Sequence, residues 1–116
     1  MKAKLITAIF LAAPLVVNSA ILFENLDLAK KSHQLAMTIN QIANSEGNSF
    51  CKDKVEKAAA FTEMAAEHFM SKSTSTAKII IGLAIQALGY SAVEDCQQAN
   101  AISLAKIEAQ KIHDAA

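Results

Sequence analysis

No proline occurs between residues 21 and 116, a stretch that makes up most of the chain. Its apolar residues recur at steps of three and four rather than at every second position, and alanine is abundant. That period is typical of amphipathic helices, alanine is the strongest helix former, and proline would interrupt a helix interior. The sequence therefore predicts an all-α fold, a small bundle of about four helices in a single domain at residues 21–116.

Four segments with helical periodicity can be placed along this domain. The first spans about residues 22–44, and its apolar stripe is Ile21, Leu28, Leu35 and Ile42, with Ile39 and Ala43 beside them. The second begins at Asn48 or Ser49, either of which can cap a helix, and its stripe is Cys51, Val55, Ala58, Thr62, Ala65 and Phe69.

The third spans residues 77–90. The last spans about residues 92–113, opened by the capping-box spacing of Ser91 and Glu94, with Cys96, Ala99, Ile102, Ala105, Ala109 and Ile112 along one side.

The third segment contains "KIIIGLAIQALGY", residues 78–90, the most apolar part of the domain. A membrane-spanning helix needs about 20 apolar residues, so this segment is too short, and Lys78 and Gln86 interrupt it. Because a helix that is apolar nearly all round is a buried one, we expect a short helix at the centre of the bundle. Gly82 is expected to let a neighbouring helix approach closely, while Gly89 and Gly47 suit C-cap positions, Gly47 a left-handed one.

The first twenty residues have the organisation of a secretory signal peptide. Lys2 and Lys4 are followed by a 13-residue apolar run at residues 5–17 and then by the small residues Ser19 and Ala20. The run is too short to cross a bilayer comfortably but suits the apolar region of a signal peptide. We expect residues 1–20 to be removed and the domain to be exported, either periplasmic or secreted, with no stable membrane insertion after cleavage. An uncleaved anchor is the alternative.

Cys51 and Cys96 are the two cysteines of the chain. In an oxidising compartment, an even pair of cysteines in a small domain predicts a disulfide, and two buried thiols are the alternative. The loop-entropy relation gives a bond of this span a stabilisation of about 4 kcal/mol, against the total of about 5–15 kcal/mol that such domains have. The sequence leaves open whether the bond forms within one chain or between two, and leaves a homodimer open as well.

Charge and motifs exclude several classes of function. After residue 20 there are nine lysines, no arginine and eleven carboxylates, a net charge of −2 with histidine neutral. Nucleic-acid binding depends on basic residues that neutralise phosphates, so no nucleic-acid partner is expected. The sequence has no phosphate-binding glycine loop, no Gly-x-Ser-x-Gly and no Cys-x-x-Cys. We therefore expect no enzyme, no catalytic residue and no cofactor.

A metal site is not expected either. The nearest candidate is Glu63 and Glu67, one helical turn apart, with His68 beside them. Neighbouring residues on a helix point about 100° apart, so Glu67 and His68 do not converge on one ion. A solvated acidic face with a partly buried histidine is the simpler interpretation.

Three classes of function fit these observations. In size, signal peptide and cysteine use the chain is similar to two groups of small exported helical proteins, the periplasmic immunity proteins that neutralise cell-wall-targeting toxins and the small acid-stress chaperones. The first likeness implies a protein-binding module, and the second a periplasmic stress chaperone that exposes apolar surface on a trigger. The third class, a membrane-active helical protein, would use residues 77–90, which lack the basic face and interfacial Trp of such helices. We expect a protein partner, with a toxin-neutralising immunity protein as the most specific form of that function.

Overall fold

The computed structural model describes the backbone of residues 2–90 and 95–116 and the side chains of residues 24–90 and 95–116. Four helices occur in this part of the chain: α1 (Lys2–Ser45), α2 (Ser49–Met70), α3 (Thr74–Gly89) and α4 (Ala99–Ala115). No strand occurs in these ranges. The predicted all-α class and the predicted number of helices are confirmed. The signal peptide predicted at residues 1–20 lies outside the described side chains and stays a prediction.

Short connections make neighbouring helices antiparallel. Residues 46–48 join α1 to α2, and residues 71–73 join α2 to α3, lengths typical of antiparallel neighbours in bundles. Each helix packs on the next one along the chain, and α4 packs back on α1. The result is a four-helix bundle in which the α1–α4 pair and the α2–α3 pair form opposite sides.

The core is built from one stripe of each helix. The stripes predicted for α1, α2 and α4 are buried wherever their side chains are described, except that Ala99 is half-buried. The largest apolar side chains that are fully buried come from all four helices: Ile39, Val55, Phe69, Ile81, Leu88 and Ile102. Each helix therefore supplies part of the apolar surface that the others cover.

α3 is not the centrally buried helix that its composition predicts. Ile80, Ile81 and Leu88 are buried, but Ile79 is 68% exposed and Leu83 is 40% exposed. α3 packs against α2 on one side and α4 on the other, so its outer side has no helix to cover it. The prediction of a central helix is wrong, because a corner position in a four-helix bundle buries only one side of a helix. In the part of the chain that the structure describes, none of the helices has the length and hydropathy that a membrane span requires.

The three glycines do not have the capping and close-packing roles that the sequence predicts. No glycine in the described residues has a positive φ, so Gly47 is not a left-handed cap. α3 ends at Gly89, but the cap residue is Tyr90 in a right-handed conformation. A Cβ added at Gly82 would find nothing within 4 Å, so no helix approaches there and Gly82→Leu is not expected to clash. At Gly47 an added Cβ would lie 2.5 Å from Oε1 of Gln97. The missing side chain leaves room for the hydrogen bond that the Gly47 N–H donates to this oxygen.

Cys51 and Cys96 form a disulfide within the chain, with their Cα atoms 5.8 Å apart, which confirms the predicted bond. Cys51 lies in the first turn of α2, where the side chain of Asn48 caps the helix by accepting a hydrogen bond from the Cys51 N–H. The last helix begins at Ala99 rather than near residue 92, so Cys96 lies in the turn before α4 and not within the helix. The predicted capping box, Ser91 and Glu94, lies outside the described residues. The bond thus fastens the approach to α4 onto the start of α2.

Candidate interaction surface

Glu63, one of the two acidic residues of α2 considered as metal ligands, pairs with a histidine of α1 instead. Glu63 pairs with His33 of α1, whose Nδ1 lies 2.9 and 2.8 Å from the two carboxylate oxygens. Both side chains are about half exposed, and exposed ion pairs of this kind contribute about 0–1 kcal/mol. Among the described residues, Glu46, Cys51 and Cys96 are the group of three whose ligand-type atoms lie within reach of one ion. The two sulfurs are bonded to each other and so are not thiolate ligands.

Glu46 is a buried carboxylate that holds the turn before α4. Its Oε1 accepts a hydrogen bond from the N–H of Gln98 at 2.9 Å, and its Oε2 accepts from Gln97 at 3.1 Å and from Asn48 at 2.9 Å. Gln98 is the N-cap of α4, and the N–H groups at a helix start have no partner within the helix. Burial raises the pKa of Glu46, but the backbone hydrogen bonds, led by that from Gln98, outweigh it and lower the pKa below its ordinary value. The residue that follows α1 therefore caps the start of α4.

We expect Glu46→Gln to lower the free energy of unfolding at neutral pH by about 1–3 kcal/mol, because an amide replaces a charged acceptor of three N–H groups. The pKa of Glu46 is lowered in the folded protein, so its stabilisation is present above the pKa of the unfolded carboxyl. It is lost as the pH falls through the folded-state pKa. Wild-type stability should therefore fall more steeply than that of the variant below about pH 5. Urea unfolding at a series of pH values tests this, with Glu56→Gln on the exposed side of α2 as control. Equal slopes for wild type and Glu46→Gln would contradict it.

An apolar patch covers the outer side of α2 and α3. We call it the α2–α3 face and define it by six residues: Phe50, Phe61, Met64, Ile79, Leu83 and Tyr90. Ile79 and Leu83 of α3 and its cap residue Tyr90 are spaced by four and seven residues and so lie on one side of that helix, and the three from α2 share a side in the same way. All except the half-buried Phe61 are at least 40% exposed. Contiguous exposed apolar surface with a polar rim is typical of an interaction site.

Aromatic contacts fix one end of the α2–α3 face. The rings of Phe50 and Tyr90 meet edge to face, with centroids 6.4 Å apart and planes at 87°. Nζ of Lys54 lies 4.6 Å from the centroid of the Tyr90 ring and 5.4 Å from that of Phe50. Both distances are within the range of a cation–π interaction. These contacts hold two large aromatic side chains in place at the surface, and tyrosine and phenylalanine are enriched in protein–protein interfaces.

The charges associated with the α2–α3 face are predominantly basic. Lys54 and Lys57 lie on the same side of α2 as Phe50 and Phe61, at helical spacing. The carboxylate of Asp53 lies at the margin and is 3.1 Å from Nζ of Lys57. Among the described residues, Lys54 has no carboxylate partner. A chain whose domain carries a net negative charge thus presents basic groups beside its apolar patch.

The prediction of a centrally buried α3 places Ile79 and Leu83 in the core, and the sequence does not distinguish Phe50 or Tyr90. The spacing i, i+4 and i+11 of Ile79, Leu83 and Tyr90 is the sequence feature that indicates a shared side. That side is opposite the one that carries Ile81 and Leu88. Composition concealed this signal, because α3 is apolar on both sides. Only the packing of α3 between α2 and α4 decides which side is covered.

No protein-family model, curated protein or solved structure matches this chain. The case for a function therefore depends on the surface of the molecule itself.

Proposed function

We propose that this protein is an exported protein-binding module, and that the α2–α3 face binds a protein partner whose surface is apolar and acidic. The observation that carries the proposal is the exposed row of Ile79, Leu83 and Tyr90 beside Lys54. Apolar anchors supply most of the affinity in such interfaces, and complementary charge steers and orients the partner. The most specific form of the proposal is an immunity protein that neutralises an exported toxin.

Two properties of the bundle support binding rather than chemistry. The disulfide joins α2 to the approach to α4. Glu46 holds the same turn by two backbone hydrogen bonds, from Gln97 and Gln98, and accepts a third from Asn48 at the start of α2. These contacts fix α2 relative to the start of α4, and α3 packs between those two helices, so the surface is formed before the partner arrives. Fixing the binding surface in advance reduces the entropy lost on association.

A periplasmic stress chaperone is the second candidate. It is favoured by the exposed methionines Met37, Met64 and Met70, since methionine is flexible and suits surfaces that accept varied partners. These three residues are distributed over α1 and α2, and only Met64 belongs to the α2–α3 face, whereas Phe50 and Tyr90 of that face are in direct ring contact. One specific partner is therefore favoured over many.

Capture experiments with matched variants test the proposal. Leu83→Asp removes an apolar anchor and places a negative charge on the α2–α3 face, and Lys54→Glu reverses the charge beside the aromatic pair. We expect each to weaken the complex with the partner by about 2 kcal/mol or more, roughly 30-fold in Kd. The partner is first captured from the exported fraction on wild-type protein, and each variant is then titrated against the purified partner.

Ile107→Asp is the matched control, because Ile107 is also an exposed apolar residue but lies on α4. The Kd of the control should equal that of the wild type, and the wild-type Kd should rise with salt because the partner is acidic. Equal Kd values for Leu83→Asp and Ile107→Asp would contradict the proposal. Flotation of wild-type protein with anionic liposomes, abolished by Leu83→Asp, would instead support a membrane-active protein. Suppression of the aggregation of several unrelated unfolded proteins would support the chaperone.

A further inference from the structure

A groove runs between α1 and α4, on the side of the bundle opposite the α2–α3 face. The groove is lined by the large apolar residues Leu28, Leu35 and Ile42 of α1 and, on α4, by the alanines Ala101 and Ala105 together with Leu104 and Ile112. Protein interiors are normally packed to crystal-like density, but alanine is too small to fill the space that these partners leave. The groove that results has a volume of about 530 Å³, within the range of small-molecule sites.

We propose that this groove binds one long-chain fatty acid, with the acyl chain along its floor and the carboxylate at the lysines of one end. Leu28 and Ile42 mark the two ends of the floor, 14 residues apart, or about 21 Å at the rise of an α-helix. One acyl chain spans half of a hydrocarbon core about 30 Å thick, roughly 15 Å. The floor is long enough for a single extended chain with its head group.

The floor of the groove offers little surface on which a helix of a partner protein could lie. Leu28, Leu35 and Ile42 are each less than one tenth exposed, so only a small part of each side chain is open at the groove. A helix with its side chains is about 10–12 Å across and needs a broad apolar surface. An acyl chain has no side chains and needs only a strip of apolar contacts along its length.

Charge is placed at one end of the groove. α4 runs antiparallel to α1, as the contact of Glu46 with Gln97 and Gln98 at the other end shows. Lys31 of α1 and Lys111 of α4 are therefore on the rim at the Leu28 end, and both line the groove. Each lysine pairs with a carboxylate on its own helix, Lys31 with Asp27 at 2.9 Å and Lys111 with Glu108 at 3.1 Å. Of these two carboxylates, Glu108 also lines the groove.

Those pairs do not prevent the lysines from binding a ligand. All four side chains are more than half exposed, and exposed pairs within one helix contribute only about 0.3–0.5 kcal/mol. A ligand carboxylate held by an apolar chain at a fixed position beside two ammonium groups competes readily with such partners. The side chain of Leu104, exposed on the opposite rim, is placed to cover part of the bound chain.

Titration of the purified protein with palmitate, below the concentration at which palmitate forms micelles, tests this proposal. Displacement of cis-parinaric acid, a fluorescent long-chain fatty acid, reports the binding. We expect one saturable site per chain. Ala101→Leu fills the groove from the floor and Ala115→Leu narrows it at the lysine end, and each should weaken palmitate binding at least about tenfold, the equivalent of about 1.4 kcal/mol. Ala60→Leu, an exposed alanine of α2, is the matched control and should bind as wild type does.

Head-group recognition is tested with a second ligand. Lys31→Gln combined with Lys111→Gln should weaken palmitate about tenfold but leave hexadecanol, which has the same chain length and no charge, unchanged. Lys30→Gln combined with Lys52→Gln is the control for net charge. Circular dichroism and urea unfolding show which variants are folded. If Ala101→Leu does not fold, Ala115→Leu, at an exposed position, still tests whether a smaller groove weakens palmitate binding.

Absence of saturable palmitate binding to wild type, or equal palmitate affinity in the wild type and a folded groove-filling variant, would overturn the proposal. A helical peptide that binds the groove where palmitate does not would overturn it as well. The result is independent of the proposed protein partner. Leu83→Asp should bind palmitate normally, and Ala101→Leu should bind the protein partner normally.

Discussion

Removing the Cys51–Cys96 disulfide by the double substitution Cys51→Ala and Cys96→Ala is expected to lower the free energy of unfolding by about 4 kcal/mol. The bond closes a loop across a sequence separation of 45, and the loss of loop-closure entropy from the unfolded chain gives this magnitude. Small domains have about 5–15 kcal/mol in total, so a large part of the stability depends on one bond. Alanine is the appropriate replacement because both cysteines are buried, and a serine hydroxyl would need a hydrogen-bond partner.

Urea unfolding of wild type, the double variant and reduced wild type measures the effect. The free energy of unfolding of reduced wild type should be close to that of the double variant. This comparison separates the effect of losing the bond from the effect of losing the sulfur atoms. Combining the double variant with Glu46→Gln extends the test. Glu46 and the disulfide hold the same turn before α4, so their effects should not add. Unchanged unfolding midpoints in the double variant and in reduced wild type would contradict the entropic account. Strictly additive effects would show that the two devices act independently.

The elements of the fold were predictable from the sequence where local periodicity decides them. α2 illustrates this: Asn48 caps it, Cys51 stands in its first turn, and Phe69 is buried near its end, all as expected. Period, capping chemistry and the cysteine pair are properties of the chain within one or two helical turns, or of residue type alone. These properties gave the all-α class, the number of helices and the disulfide.

Features that depend on contacts between distant segments were not predictable in the same way. The sequence does not distinguish Glu46 from other carboxylates, because its donors Gln97 and Gln98 lie about 50 positions later in the chain. α4 begins later than the sequence predicts, because the residues directly before Ala99 form the disulfide and the hydrogen bonds to Glu46 and not a helical turn. The α2–α3 face and the α1–α4 groove both depend on which side of each helix a neighbour covers. Periodicity identifies an apolar side, but in α3, where two sides are apolar, it does not show which one is covered.

The isoleucines of α3 provide the sharpest test of that arrangement. Ile81 is 0% exposed and Ile79 is 68% exposed, although only two positions separate them. Ile81→Ala should lower the free energy of unfolding by about 2–5 kcal/mol, through lost burial and the cavity that remains. Ile79→Ala should change it by no more than about 0.5 kcal/mol. Ile85 is half-buried against the core, so Ile85→Ala should lower the free energy of unfolding by an intermediate amount. Since the same substitution is made three times in one helix, helix propensity contributes equally and cancels in the comparison.

Urea unfolding at several protein concentrations separates two explanations of an unexpected result. If Ile79→Ala costs as much as Ile81→Ala at every concentration, the outer side of α3 is buried within the chain and the α2–α3 face does not exist as described. If the cost of Ile79→Ala appears only at high concentration, a second copy of the protein covers the face, because association stabilises the folded state by mass action. A small, concentration-independent effect at Ile79 beside a large one at Ile81 leaves the face open for a partner. The α2–α3 face is then the exposed surface at which Leu83→Asp and Lys54→Glu should weaken binding of the partner.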